Sequence, residues 1–454
     1  MVGKYQPYPE YEDSGVVFLG HRPSNWGVMR GKFVFSEFGE RSTTGAETLL
    51  SVSEYYGVKP RSDVIADGDF LSRAESLIDY KKCVKNDLVM NIMLAWKRGL
   101  GVTKFDGIVS PAYSVFRFND KANPDYMHYL LRTDTYTDYF KTRSTGVIDS
   151  RLRLYPESFG NVPIILPPID EQQKIACFLD HETACIDILI EKQQQLIKLL
   201  KEKRQAVISH AVTKGLNPTA SMRDSGVEWL GEVPEHWAVL PIKYIVSIPV
   251  TDGPHETPNF LEEGVPFISA EAVSSGQINF EKIRAHISDE DDKRYSLKYS
   301  PEKYDIYMVK SGATTGVTAI VETDDKFNIW SPLAVIRCNA DSSPYFVLNF
   351  MRSYNFKEAV ELNWSFGTQQ NIGMGVIENL HVTRPPAAEA KLISEKLAKQ
   401  CRVFDSVINK ASSQIAVLQE RHTALISAAV TGKIDVRNWQ APQPSNKSNN
   451  NTGK

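Results

Sequence analysis

The side chains of this chain best suited to chemistry are basic and polar, and they come in short runs. Between Tyr80 and Lys104 lie Lys81, Lys82, Lys85, Lys97, Arg98 and Lys104, with Trp96 among them and Asp87 as the one acid of the stretch. Lys141, Arg143, Arg151 and Arg153 follow, with Ser144, Thr145 and Gly146 and against Asp149 alone. The second half carries Lys310-Ser311-Gly312-Ala313-Thr314-Thr315-Gly316, then Trp364 and the polar run Thr368-Gln369-Gln370-Asn371. A dense turn, Asp252-Gly253-Pro254-His255, precedes them. Lys and Arg meet phosphates, whereas Arg, Gln, Asn, Ser and Thr read base edges in the major groove. Glycines let backbone approach a phosphate closely. These residues are therefore expected to face DNA: Lys81, Lys82, Lys97, Arg98, Arg143, Ser144, Thr145, Arg151 and Arg153 in the first half. In the second they are His255, Lys310, Ser311, Thr314, Thr315, Thr368, Gln369, Gln370 and Asn371.

Catalytic signatures are missing. Gly312-Ala313-Thr314-Thr315-Gly316 lacks the spacing and the lysine of a phosphate loop, and Gly373-Met374-Gly375 meets Glu378 where a dinucleotide fingerprint needs a third glycine. Pro167-Pro168 and Pro385-Pro386 are followed by Ile169 and Ala387, so neither forms an amino-methyltransferase loop. Neither a Gly-x-Ser-x-Gly elbow nor a His-Glu-x-x-His helix occurs. Five scattered cysteines, Cys83, Cys177, Cys185, Cys338 and Cys401, exclude a disulfide framework and a paired zinc site. His181 and Cys185 have one ligand spacing and no second pair. No catalytic residue, metal or cofactor is assigned to this chain. The rival readings are a modification or nuclease polypeptide whose active site is assembled from dispersed residues, and a protein-binding scaffold.

The chain has 454 residues, 42% hydrophobic and 24% charged, with a formal net charge of −3. That length exceeds one core and the composition is that of a globular protein. No run approaches the roughly 18 apolar residues of a membrane span. The first residues lack an apolar signal core, which points to the cytoplasm. The Asn-, Ser- and Pro-rich segment 440–454 reads as disordered.

What must position the polar runs is a duplicated scaffold. Asp13, Ser14, Gly15, Val16, Leu19, Gly20, Pro23 and Trp26 recur as Asp224, Ser225, Gly226, Val227, Leu230, Gly231, Pro234 and Trp237, a constant offset of 211 residues. A second echo, at offset 218, relates Ala206, Ile208, Ser209, Ala211, Val212 and Thr213 to Ala424, Ile426, Ser427, Ala429, Val430 and Thr431. One unit is present twice, which implies pseudo-symmetry. Each copy opens with a mixed α/β (α+β) globule, 1–168 and 223–386, with short strand-like runs between Gly, Pro and Asp. Within these, Asp87-Leu88-Val89-Met90 matches Asp305-Ile306-Tyr307-Met308.

A long helix closes each copy, 169–214 and 387–432, with a linker over 215–222. Apolar residues recur at steps of three and four, and Gly215 and Gly432 mark the stops. At about 1.5 Å per residue each helix spans roughly 60 Å, too long for a single globule. A narrow apolar stripe that long predicts that the two helices pair as a coiled coil. Ile186, Leu189, Leu196, Leu200, Phe404, Val407, Leu418 and Leu425 are the expected contact positions on it.

Together these residues resemble the specificity subunit of type I restriction–modification systems. The run from Asp224 to Trp237 is similar to that family's domain start. Leu166-Pro167-Pro168-Ile169-Asp170-Glu171-Gln172-Gln173-Lys174-Ile175 is similar to the beginning of its spacer helix, and Arg204 to Gly215 to its end. The first opening departs from the pattern, with Val17-Phe18 and His21-Arg22 where the second has Glu228-Trp229 and Glu232-Val233. The resemblance implies two target-recognition domains joined by antiparallel helices, each reading one half of a bipartite, gapped double-stranded DNA target. It implies two methylation subunits as partners, which bind S-adenosylmethionine, and restriction subunits that use ATP and Mg. The specificity subunit itself is implied to be non-catalytic.

Overall fold

The computed structural model describes residues 5–64, 76–366 and 370–442. It divides into two compact units, residues 1–193 with 413–454, and residues 194–412. Each contains one mixed globule and parts of both long helices.

The recurring opening forms the same hairpin in both units. Tyr11–Asp13 pairs antiparallel with His21–Pro23, and Met222–Asp224 with Glu232–Pro234, with every partner shifted by 211. The turn explains why Asp-Ser-Gly recurs. The Asp13 carboxylate accepts from the Gly15 amide and the Asp224 carboxylate from the Gly226 amide, both at 2.9 Å. Gly15 and Gly226 sit at φ +69° and +75°, a region that side-chain-bearing residues avoid.

Beyond the hairpin, each globule is built on a four-stranded antiparallel sheet. In the first unit the strands are β1 (Phe35–Phe38), β2 (Leu88–Asn91), β3 (Leu100–Val102) and β4 (Tyr113–Phe118), in the order β1-β4-β2-β3. In the second they are β5 (Thr251–Asp252), β6 (Ile306–Val309), β7 (Thr318–Ile320) and β8 (Leu333–Ile336), in the order β5-β8-β6-β7. Strands β2 and β6 are buried along their whole length because both faces are covered. Leu88 and Met90 face one cluster with the short helix Pro124–Leu131, and Val89 faces another with Leu50, Val52 and Val115. Ile306 and Met308 part from Tyr307 and Val309 in the same way. Alternation sends successive side chains to opposite faces, and with no wet face the sequence reads as a continuous apolar run.

A buried aspartate precedes each central strand. Asp87 receives the Arg117 guanidinium through two bonds of 3.0 and 3.1 Å, and Asp305 receives Arg337 at 2.7 and 2.8 Å. Such bidentate pairs fix the sheet in register as well as neutralising the acid.

Two long helices follow, α1 (Ile169–Lys214) and α2 (Ala387–Val430). In the first unit the start of α1 packs with the end of α2, so that Ile175, Leu179 and Ile186 share a core with Leu425, Ala429 and Val430. In the second the end of α1, with Ile208 and Val212, shares one with Ile393 and Leu397. Asp187 lies 3.8 Å from His422, and Arg204 lies 3.2 Å from Asp405. Each of these pairs joins the two helices within its own unit. The α/β (α+β) architecture with antiparallel long helices is as the sequence predicts. Among the described residues no helix is long and apolar enough to cross a membrane.

Candidate nucleic-acid interface

In each unit two loops that carry the predicted residues come together. The first loop joins the middle strands of the sheet: residues 92–99 between β2 and β3, and 310–317 between β6 and β7. The second follows the helix Asp134–Arg143 in the first unit and the helix Tyr354–Asn363 in the second. In the first unit the Leu154 amide donates to the Ile92 carbonyl at 2.8 Å; in the second the Ile372 amide donates to the Lys310 carbonyl at 2.9 Å. Both partners are related by 218 residues, so the contact is the same one made twice. The second unit adds a Ser311–Asn371 bridge and a 3.0 Å bond from the Gly312 amide to the Gln370 carbonyl.

Lys97, Arg98, Arg143, Ser144, Thr145, Arg151 and Arg153 lie on or beside this edge in the first unit. Trp96 holds it, with the Lys97 and Lys141 ammoniums each 4.9 Å from its ring centroid. Arg143 lies over the Tyr139 ring at 4.9 Å, and Tyr139 stacks on Phe18 at 3.9 Å. Cations can rest on aromatic faces in place of a carboxylate, as Lys97 and Arg143 do among the described residues, whereas Lys141 also pairs with Asp149 at 2.9 Å. Thr145 and Arg153 exchange backbone bonds of 2.9 and 3.0 Å that close the loop, and Ser144 donates to the Phe140 carbonyl. Gly146, at φ +153°, makes this closure possible, since a Cβ there would stand 2.6 Å from the Arg151 carbonyl. Arg151 is exposed on the turn Asp149–Arg151, beside fully exposed Val147.

Ser311, Thr314, Thr315, Gln370 and Asn371 occupy the matching edge in the second unit. Thr315 is anchored by donating to the Gly312 carbonyl at 2.7 Å. Thr368 and Gln369 lie outside the described residues.

Other predicted contacts are placed elsewhere or are already neutralised. Lys81 and Lys82 stand on the strand Lys81–Cys83, away from the two loops. Lys82 is 3.0 Å from Glu40 and 3.9 Å from Glu47, and the Glu40 bond raises its pKa. Lys81 is 3.8 Å from Glu37. Arg98 pairs with Asp134. Lys310 turns inward: its side chain is 13% exposed, and Nζ lies 3.2 Å from the buried Asp252. Lys298 and His255 meet the same carboxylate at 2.5 and 3.0 Å. Burial works against ionisation of Asp252, but hydrogen bonds from Lys298 and Lys310 outweigh it and hold its pKa below the ordinary value. This is a structural ion cluster, and it takes Lys310 out of the set of free cations.

On the long helices, Ile186 and Leu425 are buried in the core of the first unit and Leu418 packs against it. Leu200 and Phe404 are half-buried, whereas Leu189, Leu196 and Val407 remain 47%, 39% and 37% exposed. Ile188, Leu199, Val403 and Val417 are more exposed still. Among the described residues no group of three or more His, Cys, Asp or Glu is gathered as a metal site would require.

What the sequence reading did not find is the equivalence of the paired loops. The signal was present: carrying the Asp87–Met90 match with Asp305–Met308 two residues further aligns Ile92 with Lys310.

Comparison with known proteins agrees with this architecture. A model of the type I restriction modification DNA specificity domain matches residues 29–198. The MjaVIII specificity subunit of Methanocaldococcus jannaschii is 23% identical over 438 residues, covering 92% of this chain and 94% of that protein. The EcoKI specificity subunit of Escherichia coli K12 is 22% identical over 346 residues, with coverages of 75% and 70%. Among solved structures, a chain from work on complex assembly and conformational transition of the type I R-M system superposes with a TM-score of 0.68 at 16% identity. It covers 91% of this chain and 99% of that one. The HsdS subunit of Thermoanaerobacter tengcongensis superposes with a TM-score of 0.54 at 16% identity, over 91% and 98%. Structures at such identity speak to the fold; in sequence, this chain is similar to the specificity subunits of type I restriction–modification systems.

Proposed function

We propose that this chain is the non-catalytic DNA-specificity subunit of a type I restriction–modification complex, in which each globule reads one half of a bipartite double-stranded target. The observation that carries the reading is the doubled loop edge: the same backbone contact in both units, bearing different side chains. A shared scaffold with diverged polar residues is what two readers of different half-sites require. Lys97, Arg143, Arg151 and Arg153 supply phosphate contacts in the first unit. Ser311, Thr314, Thr315, Gln369, Gln370 and Asn371 supply polar groups for base edges in the second. A good bidentate base contact discriminates by about 1–3 kcal/mol, while phosphate contacts add affinity without preference.

The long helices serve as spacer and as dock for two methylation subunits. Leu189, Leu196 and Val407, with the neighbouring exposed apolar residues, form the docking surface, while Ile186 and Leu425 hold the helices to their own unit. S-adenosylmethionine belongs to the methylation subunits, and ATP and Mg to restriction subunits where these join. Action on chromosomal DNA puts the complex in the cytoplasm.

The test is to express the chain with methylation subunits and map modified adenines across a genome. A single gapped motif is expected, and replacing residues 223–386 by the corresponding globule of a relative should change one half of it. Methylation by the chain alone would support the enzyme reading instead.

A further inference from the structure

The second unit holds a basic cleft that the base-reading edge does not use. It has a volume of about 700 Å³ and is lined by Lys201, Arg204 and Gln205 of α1, Asp405 of α2, Arg352 and Lys357 of the globule, and the tail of the β6–β7 loop at Gly316 and Val317. Four cations against one carboxylate leave an excess of three positive charges, in a chain whose formal net charge is −3. Arg204 spends one contact on Asp405, and its Nε, though buried, has no hydrogen-bond partner among the described residues. Arg352 is anchored by the Gly276 carbonyl and by that of Thr318 at 3.1 Å. Lys357 reaches only the Gln205 amide oxygen, at 3.3 Å. Among the described residues neither Lys201 nor Lys357 forms an ion pair. Desolvation first, then repulsion from Arg352, lowers the pKa of Lys357.

The first unit shows that this charge is not a demand of the fold. Its counterpart cleft is smaller, about 320 Å³, and is lined by Arg98, Arg132 and His422 with Asp134. There Arg98 pairs with Asp134 and His422 faces Asp187. At the long-helix offset of 218, Lys201 stands where the first unit has Gln419; aligning the helices Asp134–Arg143 and Tyr354–Asn363, an offset of 220, puts Lys357 where the first unit has Thr137 and Tyr354 where it has Asp134. Two lysines were gained and an acid lost at equivalent positions. Glu322 and Glu395 line an adjoining hollow that shares Arg204 and Arg352, without lining this cleft.

We infer that this cleft binds backbone phosphate of the DNA strand that runs past the β6–β7 loop, as a sequence-independent clamp beside the second reader. The inference rests on the DNA-reading function proposed above, and the link is the loop itself: Ser311, Thr314 and Thr315 lie on the reading edge, Gly316 and Val317 in the cleft. Uncompensated, partly desolvated cations are the arrangement that a phosphate stabilises and that its counterions leave on binding.

The experiment uses the full chain, alone and with methylation subunits, and the double variant Lys201→Gln/Lys357→Gln. Duplex binding is titrated across salt with target and unrelated sequences, and a thermal melt matching wild type shows that the variant is folded. The clamp predicts a common loss of roughly tenfold on both duplexes and a slope of log K against log salt shallower by about 1–2, with target preference unchanged. Wild-type binding with an unchanged slope in the variant overturns the clamp alone. Failure of the wild-type chain and complex to bind any duplex overturns the DNA reading and the clamp with it. Calorimetry with inorganic phosphate separates the remaining source: phosphate binding lost in the variant while the duplex slope stays constant makes this a free-anion site and overturns the DNA-strand assignment.

Discussion

Trp26 donates its indole N–H to Glu171, in the first turn of α1, at 2.8 Å. Trp237 makes the same bond to Glu389, in the first turn of α2, at 3.1 Å. The tryptophans are related by 211 residues and the glutamates by 218, so each unit ties its opening motif to the start of its own long helix. An acid at a helix N-terminus also complements the helix dipole. The two ties differ in depth. Glu171 is buried and also accepts from Tyr8 and from Asn25, whereas the Glu389 side chain is 26% exposed and shares its contact with His236.

That difference predicts unequal costs. Glu171→Ala leaves two buried donors, Tyr8 and Trp26, unpaired and should destabilise the first unit by about 2–4 kcal/mol. Glu389→Ala should cost about 1 kcal/mol, because water replaces the lost acceptor. Denaturant unfolding of the two variants reads the ratio; equal losses would contradict the account.

Acid sensitivity should concentrate at Asp252. Its native pKa is depressed, so its contribution to stability is complete above the unfolded value of about 3.9 and is lost as pH falls through the native pKa. Asp252→Asn should therefore be destabilised relative to wild type at pH 7, by about 1–3 kcal/mol, with the gap narrowing as pH drops from about 5 toward 3. Unfolding midpoints measured across that window check it, and a constant gap would refute it. Lys310→Ala should likewise lower stability, since its ammonium meets Asp252 inside the unit.

The two edges should act on different halves of the target. Gln370→Ala is expected to relax preference at one half-site by about 5–100-fold, and Arg151→Ala to weaken binding with little change in preference. Competition binding with duplexes altered in one half at a time separates these effects. Loss of preference in both halves from one substitution would be inconsistent with two independent readers.

How far the sequence reaches depends on the range of the interaction. The opening hairpin was legible because its causes are local: the Asp13–Gly15 bond and a positive φ at Gly15 leave few residue types possible. The long helices were legible because periodicity accumulates over many turns. The sheet order was not, since β1 pairs with β4 across some eighty residues, joining Phe35 to Phe118. Charge bookkeeping failed for the same reason. The run from Lys81 to Lys104 has only Asp87 nearby in sequence, yet Lys82 finds Glu40, Arg98 finds Asp134, and Lys104 finds Asp125. A local excess of positive charge is an upper bound on the free charge the fold leaves.

The most direct test of the central claim, two readers held apart by antiparallel rods, is to lengthen the rods. Four residues inserted near Gln194 and four near Ser413 add about one turn to each helix, roughly 6 Å or two base pairs. Single-molecule sequencing of methylated DNA should then show both half-sites unchanged and the gap longer by about two base pairs. An unaltered gap, or new bases in either half, would contradict the account.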